Sequence, residues 1–541
     1  MSRVKKNKSK KNYASQFAVI LFVALIVNLA FYWLPKKVFG IPIKKVDLLS
    51  DIRILPEQNE DDLLALVPED DFFHEDQDFN TPQYKETINA SDTTLAPPEP
   101  PGYIRLHDHE IPPVPSITGT RTDAKADLVR GSDTSTVANT QNQENKTINT
   151  SNTTSRTVDD DKLNTDYLFN THIEDFSSGH TGLRRFFAAL NNINNLGRPV
   201  RIAFVGDSFI EGDILVADFR AKMQERFGGR GVGFIPVTSN VSQYRPTIKQ
   251  SADGWKTYSI IKNKNRKYVL SGLQFEPASN NASIRFQTVD MYPGLEEVSS
   301  LKLIYSKSEE TDILLKSDRD TSLYELPPTN GVTQYEIKGH FTKGTLQFKN
   351  AQGLNAIGIA LEDNHGVIVD NFSLRGNSGI IMSALDSESC RDLQRIRPYD
   401  LIVLQYGLNV ASDSVREYGW YRNQMVNVVQ HIQNCFPGAD ILMLGVSDRS
   451  HKRGGAYSTM PAVLSLLRAQ RQTAKKTEVA FWNIFAAMGG RNSMVKYVNS
   501  NWASKDYTHL SFRGGREIAN ALYDAILTEK EMYDRDERLI E

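Results

Sequence analysis

The sequence predicts an α/β fold: a parallel sheet wound by helices, split by an inserted antiparallel β-sandwich and preceded by one transmembrane helix and a disordered linker. Three patterns predict it. Short apolar runs alternate with amphipathic runs at helical spacing over 166–242 and again over 371–541, as a parallel sheet with crossover helices requires. Over 243–370 the apolar period drops to two, and Gly, Asn, Asp and Pro separate the runs, as in an antiparallel sandwich. Near the N-terminus, residues 17–34 are almost wholly apolar, with Asn28 the one strongly polar residue.

That apolar run spans about 27 Å as a helix, enough for a slightly thin hydrocarbon core, and places an anchor at 15–34. Arg3, Lys5, Lys6, Lys8, Lys10 and Lys11 precede it. The positive-inside rule then makes 1–14 a cytoplasmic tail and exports the rest of the chain, to the periplasm or beyond the cell. Lys36, Lys37, Lys44 and Lys45 oppose this weakly. A cleaved signal peptide is the alternative, but the run is long for one and no small-x-small site comes after it. Residues 35–165 read as a solvated linker: 47–78 is acidic, Pro97-Pro98-Glu99-Pro100-Pro101 comes next, and 132–156 is rich in Ser, Thr, Asn and Gln. Such composition buries too little surface to offset chain entropy. The His107/His109 pair falls in this tether, where nothing would rigidify a metal site.

Composition excludes several classes of function. A net charge of −2 over 541 residues gives no reason to expect nucleic acid as a partner. Cys390 and Cys435 are the two cysteines, with no CxxC or Cys/His cluster, so no structural zinc is expected. No metal or cofactor is called for. Whether the two thiols pair is left open.

In the first α/β part, 182–196 is helical in spacing, 200–204 a buried strand and 214–227 a helix. The sandwich alternates most clearly at 283–289, 301–306, 334–341, 345–348 and 357–361. The second part reads strand 399–405, helix 418–435, strand 440–446, helix 461–475, strand 479–484 and helix 512–527. No internal repeat is visible.

The chemistry concentrates at strand ends. In Val205-Gly206-Asp207-Ser208-Phe209-Ile210-Glu211-Gly212-Asp213 a serine sits at a strand-to-helix turn, where its hydroxyl reaches the sheet edge and amides can hold an anion. Asp506-Tyr507-Thr508-His509 supplies an acid and an imidazole three positions apart. Serine hydrolysis needs a nucleophile, a base, an orienting acid and oxyanion donors. Ser208, His509 and Asp506 fill the first three roles. The Ser208 N–H, the Gly376 N–H in Arg375-Gly376-Asn377-Ser378-Gly379, and the Asn409 amide beyond strand 399–405 are the donor candidates. Taken singly, Ser208 also reads as a helix N-cap, and Asp506 with His509 as a capping loop. Asp207 and Asp213 read as structural. Arg449 reads as a surface ion pair or a cleft residue. Trp255, Tyr258, Tyr268 and Tyr292 in the sandwich read as packing first and as sugar platforms second.

These blocks resemble the SGNH/GDSL hydrolase superfamily. Gly206-Asp207-Ser208 is similar to its first block, Gly376 to its second, Gly407-Leu408-Asn409 to its third and Asp506-x-x-His509 to its last. Within it, the chain resembles bacterial envelope O-acetylesterases, which can carry an inserted sandwich resembling a carbohydrate-binding module. The stretch Phe227-Gly228-Gly229-Arg230-Gly231-Val232-Gly233-Phe234 also looks like that subgroup. Val410 stands where the family often has an acid, which puts any role of that acid in doubt. The resemblance implies a three-layer flavodoxin-like sheet. It also implies a serine esterase that removes O-acetyl groups from an envelope polysaccharide such as peptidoglycan, and the apolar run at 15–34 would tether it to the inner membrane. The alternatives are a lipase or thioesterase of the same superfamily, an acetyltransferase, and a non-catalytic glycan-binding scaffold.

Overall fold

The computed structural model describes residues 165–540 apart from Asn280, together with a short antiparallel pair, Lys37–Val38 with Ile41–Pro42, in a separate N-terminal unit. The predicted anchor at 15–34 and nearly all of the linker at 35–165 lie outside the described residues; the short pair falls inside the stretch read as linker. Among the described residues no helix is long and apolar enough to cross a membrane.

Five parallel strands form the main sheet in the order Val367–Ser373, Val200–Gly206, Leu401–Gln405, Asp440–Gly445, Ala480–Asn483, and Glu174–Asp175 adds an antiparallel edge. Numbered along the chain, the five run 2-1-3-4-5, the flavodoxin-like order. Val200–Gly206 and Leu401–Gln405 are buried at every position, which requires cover on both faces. In such a sheet the crevice lies beyond the carboxyl ends of the strands where the winding direction reverses. Those are Val200–Gly206 and Leu401–Gln405, and register aligns their ends: Gly206 sits opposite both Gln405 and Ser373. Ser208, Asn409 and Gly376 therefore lie two to four residues beyond three neighbouring strand ends.

Two antiparallel sheets form the sandwich. One runs Thr333–Phe341, Val298–Lys307, Asn355–Glu362, Leu273–Pro277, Trp255–Ser259; the other runs Thr321–Leu326, Thr311–Ser317, Lys343–Lys349, Ser283–Gln287, Lys249–Asp253. Alternate residues such as Leu301, Leu303, Ile313, Leu315, Leu346, Phe348 and Ile359 fill a core of their own.

The junction differs from the sequence reading. Gly233–Pro236 pairs with Asn355–Glu362 of the sandwich, and the parallel sheet resumes at Val367, ahead of 371. Val367–Ser373 comes only four residues after a sandwich strand, and Asp370 and Asn371 interrupt its apolar run. Both are buried and partnered, Asp370 by Arg397 and Tyr399 and Asn371 by Asp213. Helix Ser387–Ile396 and the hairpin Ser450–Arg453 with Ala456–Thr459 were not expected, although Asp386 caps the helix by accepting from the Ser389 N–H. The last helix runs Phe512–Ile540, well past 527.

Buried Asp440 at the start of its strand accepts the Phe186 N–H at 2.9 Å. Burial pushes its carboxyl up to about 7. Between about pH 4 and 7 the folded chain thus keeps a proton that the unfolded chain releases. Stability falls as pH rises through that window, by up to about 1.4 kcal/mol per unit. Asp440→Asn keeps an acceptor for Phe186 and cannot ionise. Urea unfolding at pH 5 and pH 8 should show the wild-type slope and a flatter one in the variant; equal slopes would assign the pH dependence elsewhere.

Candidate active site

The chain turns sharply after Gly206. Asp207 holds the turn, its Oδ1 accepting the Phe209 N–H at 3.0 Å, and Ser208 lies buried beyond it. The Ser208 Oγ is 3.1 Å from His509 Nε2, and His509 Nδ1 is 2.6 Å from Asp506 Oδ2. An ionised carboxylate only accepts, so Nδ1 carries the proton and Nε2 accepts from the serine hydroxyl. Residues 301 apart in sequence meet because the helix beginning at Phe512 packs against the Ser208 turn. A Cβ on Gly515 would lie 2.0 Å from the Ile214 carbonyl oxygen, so only glycine permits this approach.

The acid–imidazole loop is itself tightly built. Tyr507 adopts φ +59°, a left-handed conformation uncommon for a tyrosine, and stacks on Tyr457 with ring centroids 3.6 Å apart. This lets Asp506 Oδ1 accept the N–H groups of Thr508 (2.9 Å) and His509 (3.0 Å) while Oδ2 faces the ring. Burial pushes the Asp506 carboxyl up. The hydrogen bond and charge of His509, with Ser504 and the His509 N–H, outweigh it and hold the carboxyl well below its usual range.

Asn409 completes the cluster. Gly407 turns the chain at φ +124°, with a would-be Cβ 2.7 Å from Val446 and Gln470. Asn409 Nδ2 then donates to Asp207 Oδ2 and to the Asn377 carbonyl, both at 3.0 Å. Ser208, His509 and Asn409 line one cavity of about 250 Å³, with Arg449 and Thr508 beside them. Arg449 donates to the Leu408 carbonyl at 3.2 Å and lines this cleft. Gly376, at φ +72°, sits one residue before Asn377, whose carbonyl accepts from Asn409 Nδ2.

Sequence reasoning missed one pair. The Glu211 N–H donates to the Ser208 carbonyl at 3.3 Å, and its carboxylate meets Arg375 Nε at 2.6 Å. Burial pushes the Glu211 carboxyl up, and Arg375 and His509 offset part of the rise. The pair clamps the serine turn to the loop of Gly376 and Asn377. An acid three residues after the serine in an otherwise apolar turn was the available signal. Asp213 is structural: it is fully buried between Arg220, Arg245 and Thr247.

The sandwich aromatics are occupied by packing. Trp255 donates to the Ser283 carbonyl and meets Phe348 edge-on, and Tyr258 lies under the Arg266 guanidinium. Tyr268 is buried with its hydroxyl on the Asn263 carbonyl, and buried Tyr292 faces Asp218. Cys390 and Cys435 are both buried free thiols, Cys435 Sγ lying 3.4 Å from His431 Nε2. Among the described residues no cluster of three or more His, Cys, Asp or Glu is arranged to hold a metal ion.

No family model matches the sequence, and no curated protein matches it. Among solved structures, a peptidoglycan O-acetylesterase superposes with a TM-score of 0.55 at 20% identity, over 66% of this chain and 99% of that one. A family two carbohydrate esterase from Cellvibrio japonicus gives 0.23 at 10% identity over 53% and 98%. A carbohydrate acetylesterase from Sinorhizobium meliloti gives 0.22 at 16% over 30% and 79%. The chain shares the fold of the first of these structures.

Proposed function

We propose that the chain is a membrane-tethered, exported serine esterase that removes O-acetyl groups from a cell-envelope polysaccharide such as peptidoglycan. The observation that carries this reading is the unbroken line from the Asp506 carboxylate through the His509 ring to the Ser208 hydroxyl. Ser208 Oγ attacks the acetyl carbonyl carbon as His509 Nε2 takes its proton. The oxyanion is met by the Ser208 N–H and by Asn409, one of whose two amide bonds gives way to it. The carbon–oxygen bond to the sugar breaks, and His509 returns the proton to the sugar oxygen. Water, deprotonated by His509, then releases acetate and restores the serine. No step calls for a metal or cofactor.

Two observations favour acetyl over a longer acyl group. The cavity at Ser208 is small, and its walls are mostly polar: Asp207, Asn409, Arg449, Thr508 and His509. A lipase or thioesterase would want an apolar groove there. Comparing p-nitrophenyl acetate with the octanoate should show kcat/KM at least tenfold higher for acetate. The reverse preference would favour the lipase reading. A serine-directed phosphonate should add to Ser208; failure to label would favour a non-catalytic scaffold. Competition between water and a sugar acceptor separates hydrolysis from acetyl transfer. Export and anchoring rest on residues 1–34, and a reporter fused after residue 34 tests them.

A further inference from the structure

We propose that Cys390 and Cys435 form a redox pair: in the exported chain a disulfide-bearing oxidant closes them into one disulfide, which staples helix Ser387–Ile396 to helix Gly419–Cys435. The setting of this bond rests on the export proposed above, and not on the esterase chemistry.

The fold brings the two sulfurs together. They belong to the two cysteines of the chain, 45 positions apart, and both residues are 0% exposed. Ser387 and Cys390 lie three apart on one helix and share a face. Cys435, the last residue of the other helix, meets that face: its Sγ is 3.8 Å from Ser387 Oγ, and the two thiols hydrogen-bond to each other. A fully buried side chain touches about 6–12 others, so two buried residues in a body of this size meet by chance in about one case in twenty.

Their surroundings make the two thiols unequal. His431, one turn before Cys435, places Nε2 2.9 Å from the Leu385 carbonyl. A carbonyl only accepts, so Nε2 carries a proton, and that donor also lies 3.4 Å from Cys435 Sγ. The hydrogen bond from Cys390, with the charge of His431 and the Ser387 hydroxyl, outweighs burial and holds the Cys435 thiol below its ordinary range. The same bond, with burial, pushes the Cys390 thiol up, and its Sγ also faces the Tyr268 carbonyl at 3.8 Å. Cys435 is therefore the attacking sulfur. Its neighbours Ser387 and His431 are half-buried, and helix ends fray, so loosening the last turn exposes it.

The Cys435 thiolate attacks one sulfur of the oxidant's disulfide, and the other leaves as a thiolate. Cys390 gives its proton to that leaving group and attacks the Cys435 sulfur, releasing the second half of the oxidant. Two protein thiols lose two electrons and two protons; the oxidant takes both and leaves as two thiols. The bond closes a loop of 45 residues and so restricts the unfolded chain. It also braces two parts of the fold. Arg397, next after the first helix, holds Glu362 and Asp370, and Tyr421 of the second helix donates to the Ser378 carbonyl at 2.8 Å.

The test exposes the full-length protein, reduced and then freed of reductant, to oxidised glutathione at neutral pH, and blocks remaining thiols with N-ethylmaleimide. The tryptic peptides of Cys390 and Cys435 should be recovered joined, with neither thiol alkylated. Cys390→Ala should stop at a mixed disulfide between Cys435 and glutathione. The urea midpoint of the wild type should stand roughly 0.5 M higher oxidised than in dithiothreitol, and dithiothreitol should not move that of Cys390→Ala. Two alkylated thiols after oxidation, or a wild type that stops at the glutathione adduct, would overturn the pair. Should a reporter fused after residue 34 remain inside the cell, the export reading falls, while the glutathione exposure still decides whether the two sulfurs join.

Discussion

Replacing Ser208 by alanine is expected to lower acetate release from O-acetylated glycans and from p-nitrophenyl acetate by about 10⁴-fold or more. The size stems from the geometry. The hydroxyl lies 3.1 Å from His509 Nε2, and the Asp506 carboxylate fixes the tautomer that makes that nitrogen a base. Alanine leaves the oxyanion donors and the cavity, which sustain only residual catalysis. His509→Ala should lose a similar amount, and the double variant little more, because the two groups act as one unit. Asp506→Asn should lose on the order of 10⁴-fold through the wrong tautomer while leaving the loop bonds to Thr508 and His509 largely in place. Stability should change by only about 1 kcal/mol in Ser208→Ala, since one hydrogen bond and no packing volume is removed. Acetate release by the alanine variant within tenfold of wild type, with the fold intact by circular dichroism, would dismiss the triad.

Four of the five predicted site residues meet in one cluster, and the reason is topological. A parallel wound sheet gathers the residues beyond its strand ends at one rim, so a serine after one buried strand and an asparagine after the next are neighbours before any contact is known. Local pattern suffices for that, because buried strands and amphipathic helices write themselves in period. The acid and imidazole three positions apart are equally local. Gly376 was harder. Its block is legible, yet where its N–H points depends on the conformation of the loop, which sets the neighbouring Asn377 carbonyl against Asn409. The Glu211–Arg375 clamp joins positions 164 apart, a pairing that no periodicity encodes. The return strand Val367–Ser373 was hidden for a related reason. Its Asp370 and Asn371 look like loop residues until their buried partners Arg397 and Asp213 are seen.

Those buried partners belong to the contact expected to matter most for stability. Glu362, fully buried at the end of a sandwich strand, meets three cations: Arg201 of the strand that carries the serine (2.8 Å), Arg397 (2.5 Å) and Lys302 of the neighbouring sandwich strand (2.7 Å). Asp370 is the second acid, bound to Arg397 at 2.8 Å. Burial pushes the Glu362 carboxyl up, and the charges of Arg201, Arg397 and Lys302 overcome this and hold it far below its usual range. Glu362→Ala removes the acid that the three cations share, leaving Asp370 to Arg397 and Glu336, 4.0 Å away, to Lys302. Breaking a buried pair in this way destabilises by about 3–5 kcal/mol, because the uncompensated charge remains out of water. Urea unfolding at pH 7 should show that loss, and a Glu362→Ala/Arg201→Ala double variant should lose less than the sum of the two single changes. The depressed carboxyl sets the sign with pH. Its stabilisation is fully present above about pH 4.3, where the unfolded chain ionises, and is lost as pH falls toward the folded value. The gap between wild type and Glu362→Ala should therefore narrow in acid. A difference below about 1 kcal/mol at pH 7, or a gap that widens in acid, would mean that the sandwich and the parallel sheet are joined by apolar packing and not by this carboxylate.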